Sequence, residues 1–146
     1  MADIKKSEEL INAWVKLSAI VKNSRITKGL MYNEAIVMLI LYERYQKDGK
    51  GVISIKEITK ETRMLKSLVN RTINSLEEKG FLERCPGEGD GRMVFVRPLN
   101  QKLDSFLEVH TASVNMADKI IGIIGNEDAD AFVRIASKLE KDGFNL

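Results

Sequence analysis

The spacing of hydrophobic residues predicts six helices and one small β-hairpin. Apolar positions recur every three or four residues over 7–23 and through two long stretches after residue 100, which is the helical period. Over 33–45 they occur nearly all round, which predicts a helix that its neighbours cover on most sides. Between residues 52 and 99 the elements are shorter, and turn residues separate them. The predicted order is helix, helix, short strand, helix, helix, hairpin, long helix, helix.

Two short helices occupy the middle of this order. Ser54 and Glu57 have the S-x-x-E spacing of a capping box, which predicts a short third helix over 55–63. A turn around Met64 and Leu65 leads to the fourth helix, which ends at the glycine of the run EKG. The predicted apolar face of this fourth helix is Leu68, Thr72, Ile73 and Leu76.

The segments FLER and RMVFVR flank the glycine-rich run CPGEGDG, a pattern that predicts a β-hairpin. Pro98 and Asn100 are expected to close its second strand and to start the long fifth helix. Gly122 and Gly125 are expected to break that helix, and Asn126 to start the sixth.

Composition is ordinary for a globular domain of 146 residues, with 44% hydrophobic and 30% charged residues. No apolar run approaches the roughly 20 residues needed to cross a bilayer, and the charged N-terminal run MADIKKSEEL lacks the apolar centre of a secretory signal. The chain has a single cysteine. We therefore expect a cytoplasmic protein without an intrachain disulfide or membrane contact.

The net charge of +2 is unevenly distributed. Residues 50–100 hold ten Lys and Arg against seven Asp and Glu, whereas residues 101–146 hold five against eight. A basic middle segment favours a polyanionic partner, although an excess of +3 is modest by itself.

One face of the fourth helix combines residue types that bind nucleic acid. Steps of three and four along a helix return to the same side, and this side carries Lys66, Ser67, Asn70, Arg71 and Asn74. Asn can pair with adenine edges and Arg with guanine edges, while Lys and Ser at a helix start suit phosphates or bases. The first acids on this face are Glu77 and Glu78, at its far end. For any one residue an ordinary solvated face is the alternative; the whole set, in a helix-turn-helix followed by a hairpin, predicts DNA binding.

The run SLVNRTINSLEEKGFLER, followed by GDGRMVFVRPL, resembles the recognition helix and wing of the multiple antibiotic resistance regulator (MarR) family. Asp90-Gly91-Arg92 matches the Asp-x-Arg signature of that family's wing, and GLMYNEAIVMLIL is similar to its second helix. The resemblance spans nearly the whole chain, because a first helix and two long C-terminal helices are also expected in the family. Met31 departs from the Thr or Ser that the family often has, so Asn33 becomes a candidate for that helix cap. Arg97-Pro98 replaces the common Leu-Thr.

The resemblance implies a role for each residue of the interface. Base and phosphate contacts are implied for Lys66, Ser67, Asn70 and Arg71, and Asn74 continues the same face. Arg92 would be the wing arginine that enters the minor groove, and Asp90 would brace the wing. Arg84, after the first wing strand, is a further candidate for contacting DNA.

The resemblance also implies a homodimer. The first, fifth and sixth helices carry apolar stripes larger than a lone winged helix could cover, and in the family these helices interlock with a second subunit. The alternative is that they cover only their own core. We expect a helical dimerisation region at 1–32 and 100–146, around a winged helix-turn-helix at 33–99. The fold class is mainly α with a small β-wing, and the dimer would bind an inverted repeat in double-stranded DNA.

Five residues outside this face suggest further sites. Trp14, Arg25 and Tyr32 are candidates for a pocket that holds a small aromatic or phenolic effector, as in many members of the family; core packing is the alternative. Cys85 is predicted to be a structural thiol rather than a redox switch, and His110 a packed residue rather than a metal ligand. No cofactor is expected.

These patterns predict a homodimeric, sequence-specific DNA-binding transcription regulator, acting as a repressor that a small molecule or another signal releases. The chain is not expected to be an enzyme, since it has no nucleophile–base pair, phosphate loop or metal cluster. The alternative is a winged-helix module for protein–protein contact, in which the basic helix face could be neutralised without loss of function.

Overall fold

A computed structural model describes residues 3–23, 29–87, 91–100 and 103–142. In these ranges the chain is mainly helical with one small antiparallel sheet, as predicted. Its elements are α1 (Ile4–Asn23), α2 (Tyr32–Asp48), β1 (Ile53–Ser54), α3 (Ile55–Thr62), α4 (Lys66–Glu78), β2 (Leu82–Pro86), β3 (Val94–Pro98), α5 (Leu103–Ile124) and α6 (Asn126–Lys141). None of the helices described is both long and apolar enough to cross a membrane.

The chain forms two compact units, Met1–His110 and Thr111–Leu146. The first contains α1 to α4, the three strands and the beginning of α5. The second contains the rest of α5 together with α6.

The core of the first unit lies between α2, α3, α4 and the sheet. Its fully buried side chains include Met38, Leu41, Ile58, Ile73, Leu76, Leu82 and Val96. On α4 the structure buries Val69, whereas the predicted core residue Leu68 is only half-buried. The helical period accommodates either neighbour, so only packing against α2 and α3 decides which of the two enters the core.

The predicted hairpin is confirmed, and a third strand completes a sheet in the order β1-β3-β2. Both pairings are antiparallel, with Ile53 and Arg84 lying opposite Val96 on its two sides. Because Val96, Ile53 and Leu82 are fully buried, the core holds the base of the hairpin in place.

Local capping contacts explain where α2 and α3 begin. The Ser54 hydroxyl accepts a hydrogen bond from the Glu57 amide at 3.0 Å, as the capping box predicts. The Glu57 carboxylate pairs instead with Arg44, at 2.6 Å. At the start of α2, the Glu34 carboxylate accepts from the Met31 amide at 2.8 Å, so Glu34 makes the contact that was expected of Asn33.

The helix-turn-helix connection is three residues long. Arg63, with a φ of 57°, ends α3 in the left-handed conformation, and Leu65 stands immediately before α4. Later in the chain, α5 continues through Gly122 to Ile124, so the predicted break at Gly122 is wrong. Gly125, with a φ of 89°, separates α5 from α6 because this conformation does not continue a right-handed helix.

Candidate nucleic-acid interface

Helix α4 carries the predicted polar face on the side away from its core face. Lys66, Ser67, Arg71 and Asn74 are exposed, and Asn70 is half-buried. Val69, Thr72, Ile73 and Leu76 are buried on the other side. Rotating the helix would expose those core residues, so packing fixes which five side chains face outward.

The start of α4 suits an anion. The residue before the helix is Leu65, whose apolar side chain cannot cap the first-turn amides and makes no such hydrogen bond. The first turn contains no acidic residue, while Lys66 and Ser67 are its first two residues. The amides and the helix dipole therefore favour a phosphate at this end.

Strands β2 and β3 form the wing, and Arg92 is exposed in the turn that leads into β3. Gly87, after β2, lies directly against the Phe95 ring: a Cβ there would be 1.9 Å from one of its carbons. Across the two strands, Arg97 Nε donates to the Glu83 carboxylate at 2.8 Å. Asp90 lies outside the described residues, so its bracing role stays a prediction.

Arg84 joins the wing to the recognition helix. Its Nη1 donates to Glu77 Oε1 and its Nη2 to Asn74 Oδ1, each at 2.7 Å. Its backbone amide donates to Glu77 Oε2 at 3.3 Å. The structure thus joins two predicted DNA-binding residues, Arg84 and Asn74, by a direct hydrogen bond. Glu77, which sequence analysis regarded only as the end of the basic face, holds the same guanidinium.

A buried carboxylate on α2 also binds the C-terminal end of α4. Glu34, 3% exposed, accepts hydrogen bonds at 2.8 Å from the Met31 amide, the Ser75 hydroxyl and the Lys79 ammonium group. Lys79 also donates to the Gly29 carbonyl at 2.7 Å. Burial alone would raise the pKa of Glu34, but the hydrogen bonds from Lys79, Met31 and Ser75 outweigh it, and the net pKa is lowered. The start of α2 is therefore clamped to the end of α4.

Sequence analysis missed this clamp. Ser75 and Lys79 are 41 and 45 residues from Glu34 along the chain, and a lone Glu near a helix start carries no information about such distant partners.

A cavity of about 840 Å³ lies between the end of α1, the start of α2 and α4. Its lining includes Lys22, Tyr32, Glu34, Leu68, Arg71 and Ser75. Of the predicted pocket residues, Tyr32 lines this cavity, Trp14 lies on α1 with 61% of its surface exposed, and Arg25 is outside the described residues. The volume is within the range of small-molecule sites, and Lys22 and Arg71 give its wall positive charge.

The surroundings of the two remaining candidate residues, Cys85 and His110, favour structural roles. Cys85 is buried opposite Phe95 in the sheet, and burial raises the pKa of its thiol, which disfavours the reactive thiolate. His110 stacks on Tyr42 with ring centroids 3.7 Å apart and planes 11° from parallel. In the part of the chain that the structure describes, no three His, Cys, Asp or Glu residues are grouped to hold a metal ion.

Known protein families and solved structures share this arrangement of helices and strands. Residues 34–93 match the family model described as MarR family. A sequence comparison with curated proteins finds no match.

Solved structures with the same fold cover nearly all of the chain. AbsC, a MarR family transcriptional regulator from Streptomyces coelicolor, is 16% identical with a TM-score of 0.75, covering 97% of this chain and 95% of its own. Bordetella bronchiseptica BpsR, whose DNA binding is regulated by 6-hydroxynicotinic acid, is 18% identical with a TM-score of 0.71, covering 93% and 98%. Overoxidized AbfR bound to DNA is 15% identical with a TM-score of 0.69, covering 94% and 95%. At these identities the likeness shows the fold.

The matched segment contains most of α2, all of α3 and α4, and strand β2 of the wing with Arg92, and it ends just before β3. This segment of the chain matches the MarR family model, and the described residues share the fold of the MarR family regulator AbsC.

Proposed function

We propose that the chain is a homodimeric transcription regulator that binds a specific inverted repeat in double-stranded DNA, and that it represses transcription until a small molecule releases it. Repression would follow from occlusion, since a dimer seated on promoter DNA in the cytoplasm blocks access to it. The DNA-bound structure of AbfR and the regulated DNA binding of BpsR, which share the fold, support this proposal.

The observation that carries the proposal is the outward face of α4. Its side chains carry ammonium, guanidinium, hydroxyl or amide groups and no acid up to Glu77, and the core packing of Val69, Ile73 and Leu76 holds them outward. A helix of this kind fits the major groove with its first turns against base edges. We assign base or phosphate contacts to Lys66, Ser67, Asn70, Arg71 and Asn74, and a minor-groove contact to Arg92.

We propose a dimer because each of the two units exposes large apolar side chains on one of its helices. Helix α1 has no buried residue, and its large exposed side chains include Leu10, Ile11, Trp14 and Ile20. Helix α6 also has none, and its exposed apolar residues are Phe132, Val133, Ile135 and Leu139. A second copy of the chain would cover these stripes, consistent with residues 1–32 and 100–146 forming the dimerisation region.

The effector site is proposed at the 840 Å³ cavity. Its cationic residues, Lys22 and Arg71, favour an anionic ligand, and Tyr32 offers an aromatic surface. Arg71 belongs both to this cavity and to the outward face of α4, so a ligand that binds its guanidinium competes with DNA for the same group. Release then follows from the ligand's higher affinity for the DNA-free state.

Selection of bound duplexes from a random DNA library, at two salt concentrations, tests the proposal. We expect one enriched inverted repeat whose half-sites lie about one helical turn apart, bound with an affinity that falls steeply as salt rises. A protein–protein module with a winged-helix fold would enrich no sequence, and this result would refute sequence-specific regulation. The selected duplex then supplies the probe for screening anionic effectors.

A further inference from the structure

We propose that Arg84 is a positioning residue for sequence recognition, which holds the Asn74 amide so that its NH2 group faces the DNA groove as a hydrogen-bond donor. This inference rests on the proposed function, because it requires α4 to lie in the major groove. It replaces the direct DNA contact that the family resemblance implies for Arg84.

The Arg84 side chain is attached to α4 at two points. Its guanidinium forks between Glu77 Oε1 and Asn74 Oδ1, at 2.7 Å each, and these two residues are one helical turn apart on the same face. The second oxygen of Glu77 accepts from the Arg84 backbone amide at 3.3 Å. Glu77 therefore accepts hydrogen bonds from both the backbone and the side chain of Arg84. The other terminal nitrogen of the guanidinium, Nη2, donates to Asn74.

The strand that carries Arg84 is itself fixed. Arg84 lies opposite Val96 in the β2–β3 pairing, and Val96 is fully buried, as is Leu82 two residues before Arg84. Only 32% of the Arg84 side chain is exposed, compared with 52% for Arg97 on the neighbouring strand. The guanidinium is thus held against α4 by a strand that the core keeps in place.

The chemistry of arginine determines which way the Asn74 amide is turned. A guanidinium has only donors, so the atom facing Nη2 must be the amide oxygen and cannot be the amide nitrogen. The NH2 group of Asn74 then occupies the other branch of an exposed side chain on the outward face. In this orientation Asn74 offers donors to the groove while its oxygen is bound to Arg84.

This orientation selects among bases. Reading adenine with two hydrogen bonds needs the amide oxygen to accept from the adenine amino group, so Asn74 would have to leave Arg84. Guanine presents two adjacent acceptors, N7 and O6, which suit an NH2 group. We therefore expect the operator to carry guanine at one symmetric pair of positions, opposite Asn74 of each subunit.

The experiment measures binding of the selected operator and all its single-base variants to the parent, Arg84→Gln, Asn74→Ala and the double variant. We expect the parent to prefer guanine about tenfold at one symmetric pair of positions. Arg84→Gln and Asn74→Ala should each reduce that preference below about threefold and leave the other positions unchanged, and the double variant should lose no more. Arg97→Gln is the matched control, because Arg97 lies on the same hairpin but pairs with Glu83 of β2. It should keep the preference.

Glu77→Gln provides a second test if Arg84→Gln does not fold, because it loosens the same guanidinium while leaving its charge. It should weaken the same guanine preference. A uniform loss of affinity for every sequence in Arg84→Gln, with a shallower salt dependence, would show that Arg84 contacts a phosphate and would overturn the inference. If Arg84→Gln, Asn74→Ala and Glu77→Gln all keep the guanine preference of the parent, the inference is overturned while the proposed function stands. A parent that selects no sequence would refute the proposed function itself.

Discussion

At the scale of single residues, Glu34 has the most consequential environment. Its carboxylate is almost fully buried and neutralised by Lys79, with Ser75 and the Met31 amide as further donors. Removing this buried acceptor would take a hydrogen-bond partner from each of its three donors. The loss of these bonds would destabilise the packing of α2 against α4.

We expect Glu34→Gln to lower the free energy of unfolding by about 1–3 kcal/mol, measured by urea denaturation at neutral pH. Because the folded-state pKa of Glu34 lies below its ordinary value of 4.5, the ionised carboxylate contributes its full stabilisation above 4.5 and loses it as pH falls through that lower value. The difference between the variant and the parent should therefore shrink under strongly acidic conditions.

Glu43→Gln on the same helix is the control. Glu43 forms an exposed pair with Lys47 at 3.5 Å, so its loss should change stability by no more than about 0.5 kcal/mol. Equal effects of the two variants would contradict the assigned role of Glu34.

Gly87 illustrates a steric constraint at one residue. A side chain there would begin 1.9 Å from the Phe95 ring, so the ring or the strand must move. We expect Gly87→Ala to lower the unfolding free energy by about 1–3 kcal/mol, measured by denaturant unfolding. Gly91→Ala, on the same wing, should leave it unchanged, since nothing lies within 4 Å of the Cβ position. A destabilisation of equal size in both variants would mean that the wing needs glycine for another reason.

At the scale of elements, the fold fixes the positions of α4 and the wing, the two elements that we propose contact DNA. The core face of α4 sets its orientation, and the buried sheet positions the hairpin beside it. Glu34 and Lys79 hold the end of α4 near the start of α2, while Arg84 holds its outer face to β2. Changes on the outward face should therefore alter recognition with little effect on folding.

Arg71→Gln tests that separation. If Arg71 contacts a base, its loss should weaken binding to the selected operator by about 1–3 kcal/mol, which is roughly 5- to 150-fold in the dissociation constant. Fluorescence anisotropy with labelled duplex measures this, and thermal unfolding should be unchanged because Arg71 is exposed. Lys47→Gln removes the same charge from exposed α2 surface and should leave operator affinity within about twofold. A variant that folds and binds every duplex like the parent would remove Arg71 from the interface.

At the scale of the whole molecule, the exposed apolar side chains of α1 and α6 form the proposed dimer interface. Because α1 has no buried residue, most of its apolar stripe is available for a second chain to cover. A dimer would also place two recognition helices on one duplex, which is what an inverted repeat requires.

We expect Trp14→Glu to raise the dimer dissociation constant by about 30-fold or more, because a large aromatic contact is replaced by a charge. Sedimentation equilibrium over a concentration series measures the change. Asn12→Glu adds the same charge to a polar, exposed position of α1 and should have a much smaller effect. If Trp14→Glu dimerises as tightly as the parent, α1 does not contribute to the interface.

The sequence alone determined the element order, the winged helix-turn-helix and the composition of the outward face. These depend on local features: the helical period, the capping box at Ser54 and the glycine-rich run between two short strands. The Ser54 half of the capping box and the hairpin are confirmed, because both are formed by neighbours along the chain. The Glu57 carboxylate pairs with the more distant Arg44 instead.

Only the tertiary structure decided the features that join distant residues. It selected Val69 over Leu68 for the core, since packing against other helices distinguishes two positions that periodicity does not. It paired Glu34 with Lys79 and turned the Asn74 amide toward Arg84, contacts that no local pattern encodes. The residue types of the candidate interface were therefore predictable from sequence, whereas their orientation follows from long-range contacts formed when α2, α4 and the sheet pack together.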